Sequence, residues 1–467
     1  MTTPSNWLPP MRLGRRTLLG LAAGTAALPL VGCAPGGSSA PPGGTGSTSS
    51  TVNTDPASMG DVTITAMDTW TDKTAMQAQW ITQVNTDFQA KYPNITIDRK
   101  TATFDDINKT LKLKLSDPST PDVVPANNGW QGIGTFAEAG LILNLDAYAK
   151  AYGWDTRIAK TIAKQHTMSA DSNAIGTGAF YGMPIAQGGF ITVYYNRAKL
   201  SSLGLSVPTT FEEFEAALAK AKSAGEVPMM IGTQDQWLST TTLFAVMNVF
   251  GEKDKIADFV YGISGSAADT GMVEAATAYQ KWSQADYLPK NFAGTSGSDS
   301  GTAFVEGTGL FYFYYSDSLP FKTTEVGDNF GTFLLPAASG DLRATGATNQ
   351  NFSIASRSKN PDAAALYLDY VSSKAAGETA MKTGVMPFLD SFTAPDTAGA
   401  LLKDEIAELN AVQKTDGFVP YFDWASPTML DTMGAQTQLL LAGKISSDQL
   451  VEACQTDYDA FRTSQGK

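Results

Sequence analysis

Apolar and polar positions follow two rhythms along this chain. "DVTITAM" (61–67) alternates and is rich in β-branched residues, which predicts a strand. Met76, Trp80, Val84 and Phe88 then recur at four-residue steps, one face of a helix. "NITIDRK" predicts a second strand, and "PDVV" (121–124), "GFITVYYN" (189–196) and "VPMMIG" (227–232) predict three more. Phe211, Phe214 and Leu218 stripe another helix; Thr209 is read as its cap, with Glu212 completing a capping box. Asn360-Pro361-Asp362 opens a further helix, faced by Ala363, Leu366, Tyr367 and Tyr370. Leu450, Cys454 and Phe461 recur at near-helical spacing close to the end. Strands alternating with helices predict α/β layers around a mostly parallel sheet.

One segment lacks any rhythm. "LFYFYYSDSLPF" (310–321) holds five consecutive aromatic residues, Phe311 to Tyr315. Residues Leu310 to Tyr314 predict a core strand buried on both faces, as parallel strands are.

The N-terminus reads as an address. "MRLGRRTLLGLAAGTAALPLVGCAPGG" has a basic start, an apolar run from Leu18 to Val31, and then Gly32-Cys33. The run falls short of the roughly 20 residues that span a bilayer, and its flanks suit an export signal over residues 1–33. Arg15-Arg16 before Thr17-Leu18-Leu19 resembles a twin-arginine signal. Leu30-Val31-Gly32-Cys33 resembles a bacterial lipobox, whose cysteine is lipidated and becomes the mature N-terminus. Residues 34–60 are almost all Gly, Ser, Thr, Pro and Ala, a flexible tether with nothing to pack. The expectation is a lipid-anchored protein on the outer face of the bacterial cytoplasmic membrane. Met11 is an alternative start. A lipidated Cys33 is not free to pair with Cys454, which is expected to be buried and inert.

Charge narrows the partners. The 467 residues carry a net charge of −13, and residues 1–33 contribute three arginines and no acid, so the body is more acidic still. Nucleic acid is therefore not expected as a partner. Two cysteines and a single histidine, far apart in sequence, do not make a structural zinc site. His166 is read as a surface residue in a polar loop. No metal-protease, redox or phosphate-loop motif occurs; "GIGTF" and "GTGLF" read as turns, and Asp105-Asp106 and Glu212-Glu213 as helix-start acids. No enzyme, cofactor or metal is expected.

Six segments in order carry a resemblance: "FQAKYPNITI" (88–97), "PDVV" through "AEAGLILNLD", "YGMPIAQGGFITVYYNRAKLSSLGLSVPTTFEEFEAAL" (181–218), "FVEGTGLFYF" (304–313), "SKNPDAAALYLDYVSS" and "LLLAGKISSDQLVEA". The chain resembles the extracellular solute-binding proteins of ABC importers, in particular the carbohydrate-binding group that includes maltose-binding protein. The resemblance implies an α/β, two-lobed periplasmic-binding-protein-like fold with a ligand cleft at the hinge. It assigns 60–186 plus 325–377 to an N-lobe and 187–324 plus 378–467 to a C-lobe. It also implies a monomer that hands a carbohydrate, a di- or oligosaccharide, to the permease subunits of an importer.

Sugars present hydroxyls at their rim and C–H groups on their faces, so they call for carboxylates, amides and flat rings. Ligands in open α/β sheets sit beyond the carboxyl ends of strands. This rule and the family pattern together select Asp68 and Trp70, Asn127 and Trp130, and Gln187 at the first crossover. They also select Gln236 and Trp237, Tyr315 and Asp317, Asn349, and Asp423 with Trp424. The alternatives are the same fold holding another polar solute such as a polyol phosphate, or a secreted glycoside hydrolase.

Overall fold

Every predicted strand after the tether forms, but the two sheets they build are mixed, not mostly parallel. The computed structural model describes residues 52–316, 319, 323–348, 350–389 and 391–467. The first sheet takes β1 (Val62–Asp68), β2 (Ile95–Thr101), β3 (Val123–Pro125), β6 (Met183–Pro184) and β12 (Asn351–Ile354), in the order β2-β1-β3-β12-β6. A small hairpin-like pair, β4 (Thr167–Met168) and β5 (Ala179–Phe180), lies apart. The second sheet takes β7 (Gly188–Asn196), β8 (Met229–Met230), β9 (Phe311–Tyr315), β10 (Phe330–Phe333), β11 (Ala344–Thr348) and β13 (Phe418–Val419).

Each sheet has its own core. In the first, Ile64 and Ala66 of β1 pack against Trp80, Val84 and Phe88, the four-step face of the helix Met76–Lys91. Trp80 is fully buried and donates its indole N–H to the Ala376 carbonyl at 2.9 Å. In the second, Phe214 and Leu218 of the helix Phe211–Ser223 meet Phe311 and Phe313 of β9. The cap of that helix falls one residue later than expected: Thr210, not Thr209, accepts from the Glu213 amide, and Glu213 reaches back to the Thr209 N–H.

β7 organises the second sheet. Of its nine residues, Ile191–Tyr195 pair antiparallel with β9 along one edge. On the other edge Gly188–Phe190 pair with β11 and Val193–Asn196 with β10. The aromatic run is therefore antiparallel to β7 and parallel only to β8. Its burial comes from having a strand on each side and helices over its face, which also explains why Tyr314 and Tyr315 at its end are less buried.

Sheet membership departs from the expected lobe boundary at residue 325. β10 and β11 belong with β7, so the chain returns to the first sheet only between Thr348 and Asn351. β9 and β10 both run antiparallel to β7, one on each of its edges, so they are parallel to each other and the chain between them crosses over within the second lobe, with the short helix Thr324–Gly327 just before β10. The segment after Tyr315 consequently does not lead back to the first sheet.

Three chain passages between the sheets run close together. Residues 185–187 join β6 to β7, and Gln350 leads into β12 after β11. The third follows the helix Lys374–Lys382: the Ala186 N–H donates to Val371 and the Phe388 N–H donates to Ala186, and Gln187 bridges Pro387. Gly188 lies against the Phe388 ring so closely that a Cβ there would sit 2.6 Å from it.

Two single residues behave differently from one another. Cys454 is buried and free, and burial pushes its thiol up to about 12. His166, expected at the surface, is 0% exposed. Burial depresses its imidazole to about 4, and its Nδ1 faces the Ile162 carbonyl at 2.8 Å. The polar neighbours in sequence misled because the backbone of this turn pairs with Ala163 and Tyr181, which carries the ring inward.

Candidate functional site

A cavity of about 670 Å³ lies at the carboxyl ends of strands from both sheets. Its size falls within the range of small-molecule sites, roughly 300–1,000 Å³. The second sheet contributes an aromatic wall: Tyr314 and Tyr315 from the end of β9, Trp237, and Tyr421 with Trp424 just beyond β13. The first sheet contributes Thr69 and Trp70 after β1, Asn127 and Asn128 after β3, and Gln350 and Asn351 at the start of β12.

The aromatic wall is a chain of tilted rings. Trp237 and Tyr315 are 6.0 Å apart at 36°, Tyr315 and Tyr421 6.1 Å at 49°, and Tyr421 and Trp424 5.0 Å at 62°. Tilted and edge-to-face contacts place the positive rim of one ring against the negative face of the next. Trp237 is positioned by the helix it begins, Trp237–Phe250, which is buried from Leu238 to Val249. That helix can bury its polar residues because Thr240 and Thr241 donate to Trp237 and Leu238 carbonyls at 2.6 and 2.8 Å. Burial pushes the Tyr315 and Tyr421 hydroxyls well up, so both stay protonated.

The amide wall is held by its own hydrogen bonds. Gln350 accepts from the Thr69 N–H at 3.2 Å and donates to the Thr69 hydroxyl at 2.8 Å. The Thr348 hydroxyl donates to the Gln350 carbonyl at 2.6 Å. Asn351 donates to the Ala126 carbonyl and to the Asn128 side chain. Asn127 donates to Gln131 at 2.8 Å, and Gln131 donates to the Asp423 carbonyl at 2.8 Å and its carboxyl at 3.1 Å. The walls are thus joined at one end. Burial raises the Asp423 carboxyl to about 7, against the lowering effect of the Gln131 donor.

Six of the residues selected from the sequence line this cavity: Trp70, Asn127, Trp237, Tyr315, Asp423 and Trp424. Four lie elsewhere. Asp68 is buried behind the cavity, where Arg99 grips it at 2.5 and 2.9 Å and its carboxyl accepts from the Trp70 N–H at 2.9 Å. Trp130 is fully buried against Phe461 at 5.2 Å. Gln187 is buried at the passage beside Pro387, and Gln236 is exposed outside. Asp317, Asn349 and Cys33 lie outside the described residues.

The cavity also gathers residues that were not selected, including Thr69, Phe104, Asn128, Phe244, Asn351 and Tyr421. Thr69, Asn128 and Tyr421 neighbour selected residues, so reading each strand end as a segment would have reached them. Phe104 begins the helix that follows the carboxyl end of β2, a strand end the selection passed over, whereas Phe244 sits inside the helix Trp237–Phe250, where no local signal marks it.

Mixed α/β layers in two lobes, with a half-aromatic, half-amide cavity between strand ends, define a protein built to enclose a polar small molecule. Residues 70–378 match the model of the bacterial extracellular solute-binding protein family. The chain belongs to that family. It is 24% identical over 302 residues to the multiple sugar-binding protein of Streptococcus mutans, covering 62% of this chain and 67% of that protein.

Solved structures share the fold. A chitin oligosaccharide binding protein superposes with a TM-score of 0.71 at 20% identity, covering 86% of this chain and 99% of that one. A family 1 extracellular solute-binding protein from Bifidobacterium longum subsp. infantis gives 0.66 at 22% identity, covering 86% and 100%. RafE in complex with raffinose gives 0.64 at 21% identity, covering 86% and 100%.

Proposed function

We propose that this protein captures a carbohydrate, a di- or oligosaccharide, between its two lobes and delivers it unaltered to an ABC importer. The observation that carries the reading is the opposition of the two walls. Rings on one side suit the C–H faces of a pyranose, and amides and hydroxyls on the other suit its hydroxyl rim. The absence of a basic side chain among the described lining residues disfavours a phosphorylated solute. The names of the relatives, a multiple sugar-binding protein and a raffinose complex, support the same ligand class.

The three neighbouring passages at 185–187, Gln350 and 386–388 suit a hinge, and closure around a ligand is a common way to turn capture into a signal. In this reading Cys33 carries the lipid, residues 34–60 tether the body outside the membrane, and a monomer meets the permease subunits. Among the described residues no helix is long and apolar enough to cross a membrane.

The test is a thermal-shift screen of mature protein against mono- and oligosaccharides, peptides, amines and polyol phosphates, followed by recovery of the bound compound. A ligand that binds only the native state raises the melting temperature. The expected result is a shift with an oligosaccharide that is recovered intact. A shift with a polyol phosphate alone, or cleavage of the sugar, would overturn the proposal.

A further inference from the structure

We propose that Asp423 makes the cavity selective for uncharged saccharides and against sugar acids. The inference rests on the carbohydrate reading above and narrows it. Among the described residues lining the cavity, Asp423 is the one carboxylate, and no lysine, arginine or histidine accompanies it. Arg99, beneath the first-sheet wall, is already taken up by Asp68 and by the Trp70 carbonyl.

Among the described residues, none places a positive charge beside the carboxyl. From the first lobe it meets the neutral amide of Gln131. From β9 and from its own segment it faces Tyr315 and Tyr421, whose hydroxyls its charge helps to keep protonated. Gln131 donates to Oδ2 and the carboxyl also accepts from its own backbone N–H, while none of the described side chains donates to Oδ1. A sugar hydroxyl can donate there and gain a charge-assisted hydrogen bond. A sugar carboxylate would meet a like charge at a buried carboxyl with no cation among the described lining residues to offset it. An unpaired charge set against the wrong ligand is a recognised source of specificity.

The selectivity has a pH signature. Burial brings Asp423 to about 7, so its charge is present above neutrality and lost below it. Uronates have carboxyls near the ordinary acid range, about 3 to 4, and remain charged across that interval. Preference for the neutral sugar therefore weakens as pH falls through neutrality.

The experiment is titration calorimetry on mature protein with raffinose, maltotriose and chitotriose, each paired with the uronate made by oxidising a primary alcohol. At about pH 8.5 the neutral partner of the binding pair is expected to win by tenfold or more, and at about pH 5.5 by less than half that factor. D423N removes the preference at high pH. Q131L, which deletes the donor that favours the charged form, moves the midpoint of the profile upward; it decides the matter if D423N fails to fold. Equal affinities at high pH, or a preference that survives D423N, overturn the inference and leave the carbohydrate reading standing. If no sugar binds and another solute class does, that reading falls and this inference with it.

Discussion

Gly129 lies against Trp424 so closely that a Cβ on the glycine would sit 2.2 Å from the tryptophan Cβ and 2.8 Å from its carbonyl oxygen. The backbone at Gly129 has φ +67°, a region L side chains avoid. This contact sets the amide-bearing loop after β3 against the aromatic segment after β13, and the Gln131–Asp423 hydrogen bonds lie beside it.

Gly129→Ala should therefore act on both stability and ligand capture. The left-handed backbone alone costs about 1–2 kcal/mol with a Cβ, and the clash adds to it. Urea unfolding should show a loss above about 2 kcal/mol, and sugar affinity should fall with it. A variant as stable as the parent would show that the loop can move away freely.

Trp237→Ala separates binding from folding. The ring is only partly buried and packs on Tyr314 and Tyr315 at the cavity. Loss of a stacking platform should weaken sugar binding by about tenfold or more, an aromatic contact being worth about 0.5–1.5 kcal/mol beyond its area. The melting temperature of the free protein should move little. Unchanged affinity in calorimetry would remove Trp237 from the site.

Asp68→Asn tests a residue that supports the site from behind. Removing the charge leaves Arg99 partly buried without its partner, which typically costs about 3–5 kcal/mol. Chemical denaturation should show most of that loss. If stability is retained and sugar affinity collapses instead, Asp68 contacts ligand directly.

Stability should fall as pH rises. The Glu408 carboxyl accepts from Thr192 at 2.9 Å, and burial pushes it up to about 8. Its folded value lies above its unfolded one, so the native state holds the proton more tightly. The resulting stability is full below the unfolded value of about 4.5 and is lost as pH rises through about 8. Asp423 contributes in the same direction up to about 7. Unfolding free energy measured from about pH 5 to pH 8 should decline by up to about 1.4 kcal/mol per unit per group, and Glu408→Gln should flatten the curve. A flat profile for the parent would show that Glu408 is solvated.

The chain alone determined which segments become strands and helices, because that choice depends on local periodicity. The four-step face from Met76 to Phe88, the alternation of 61–67 and the proline-started helix at Pro361 all carry it within a few residues. Selecting polar and aromatic residues at strand ends likewise reached Trp70, Asn127, Trp237, Tyr315, Asp423 and Trp424 at the cavity. Only the tertiary structure decided pairing and burial, because both depend on partners tens to hundreds of positions away. β10 and β11 joined β7 through backbone hydrogen bonds that leave no mark on side-chain pattern. Arg99 turned Asp68 inward, Phe461 covered Trp130, and a polar-looking loop folded His166 out of water. Asp423 was readable as an acid near a tryptophan; that no cation accompanies it among the described lining residues could be seen only once two strand ends, one from each sheet, had met around it.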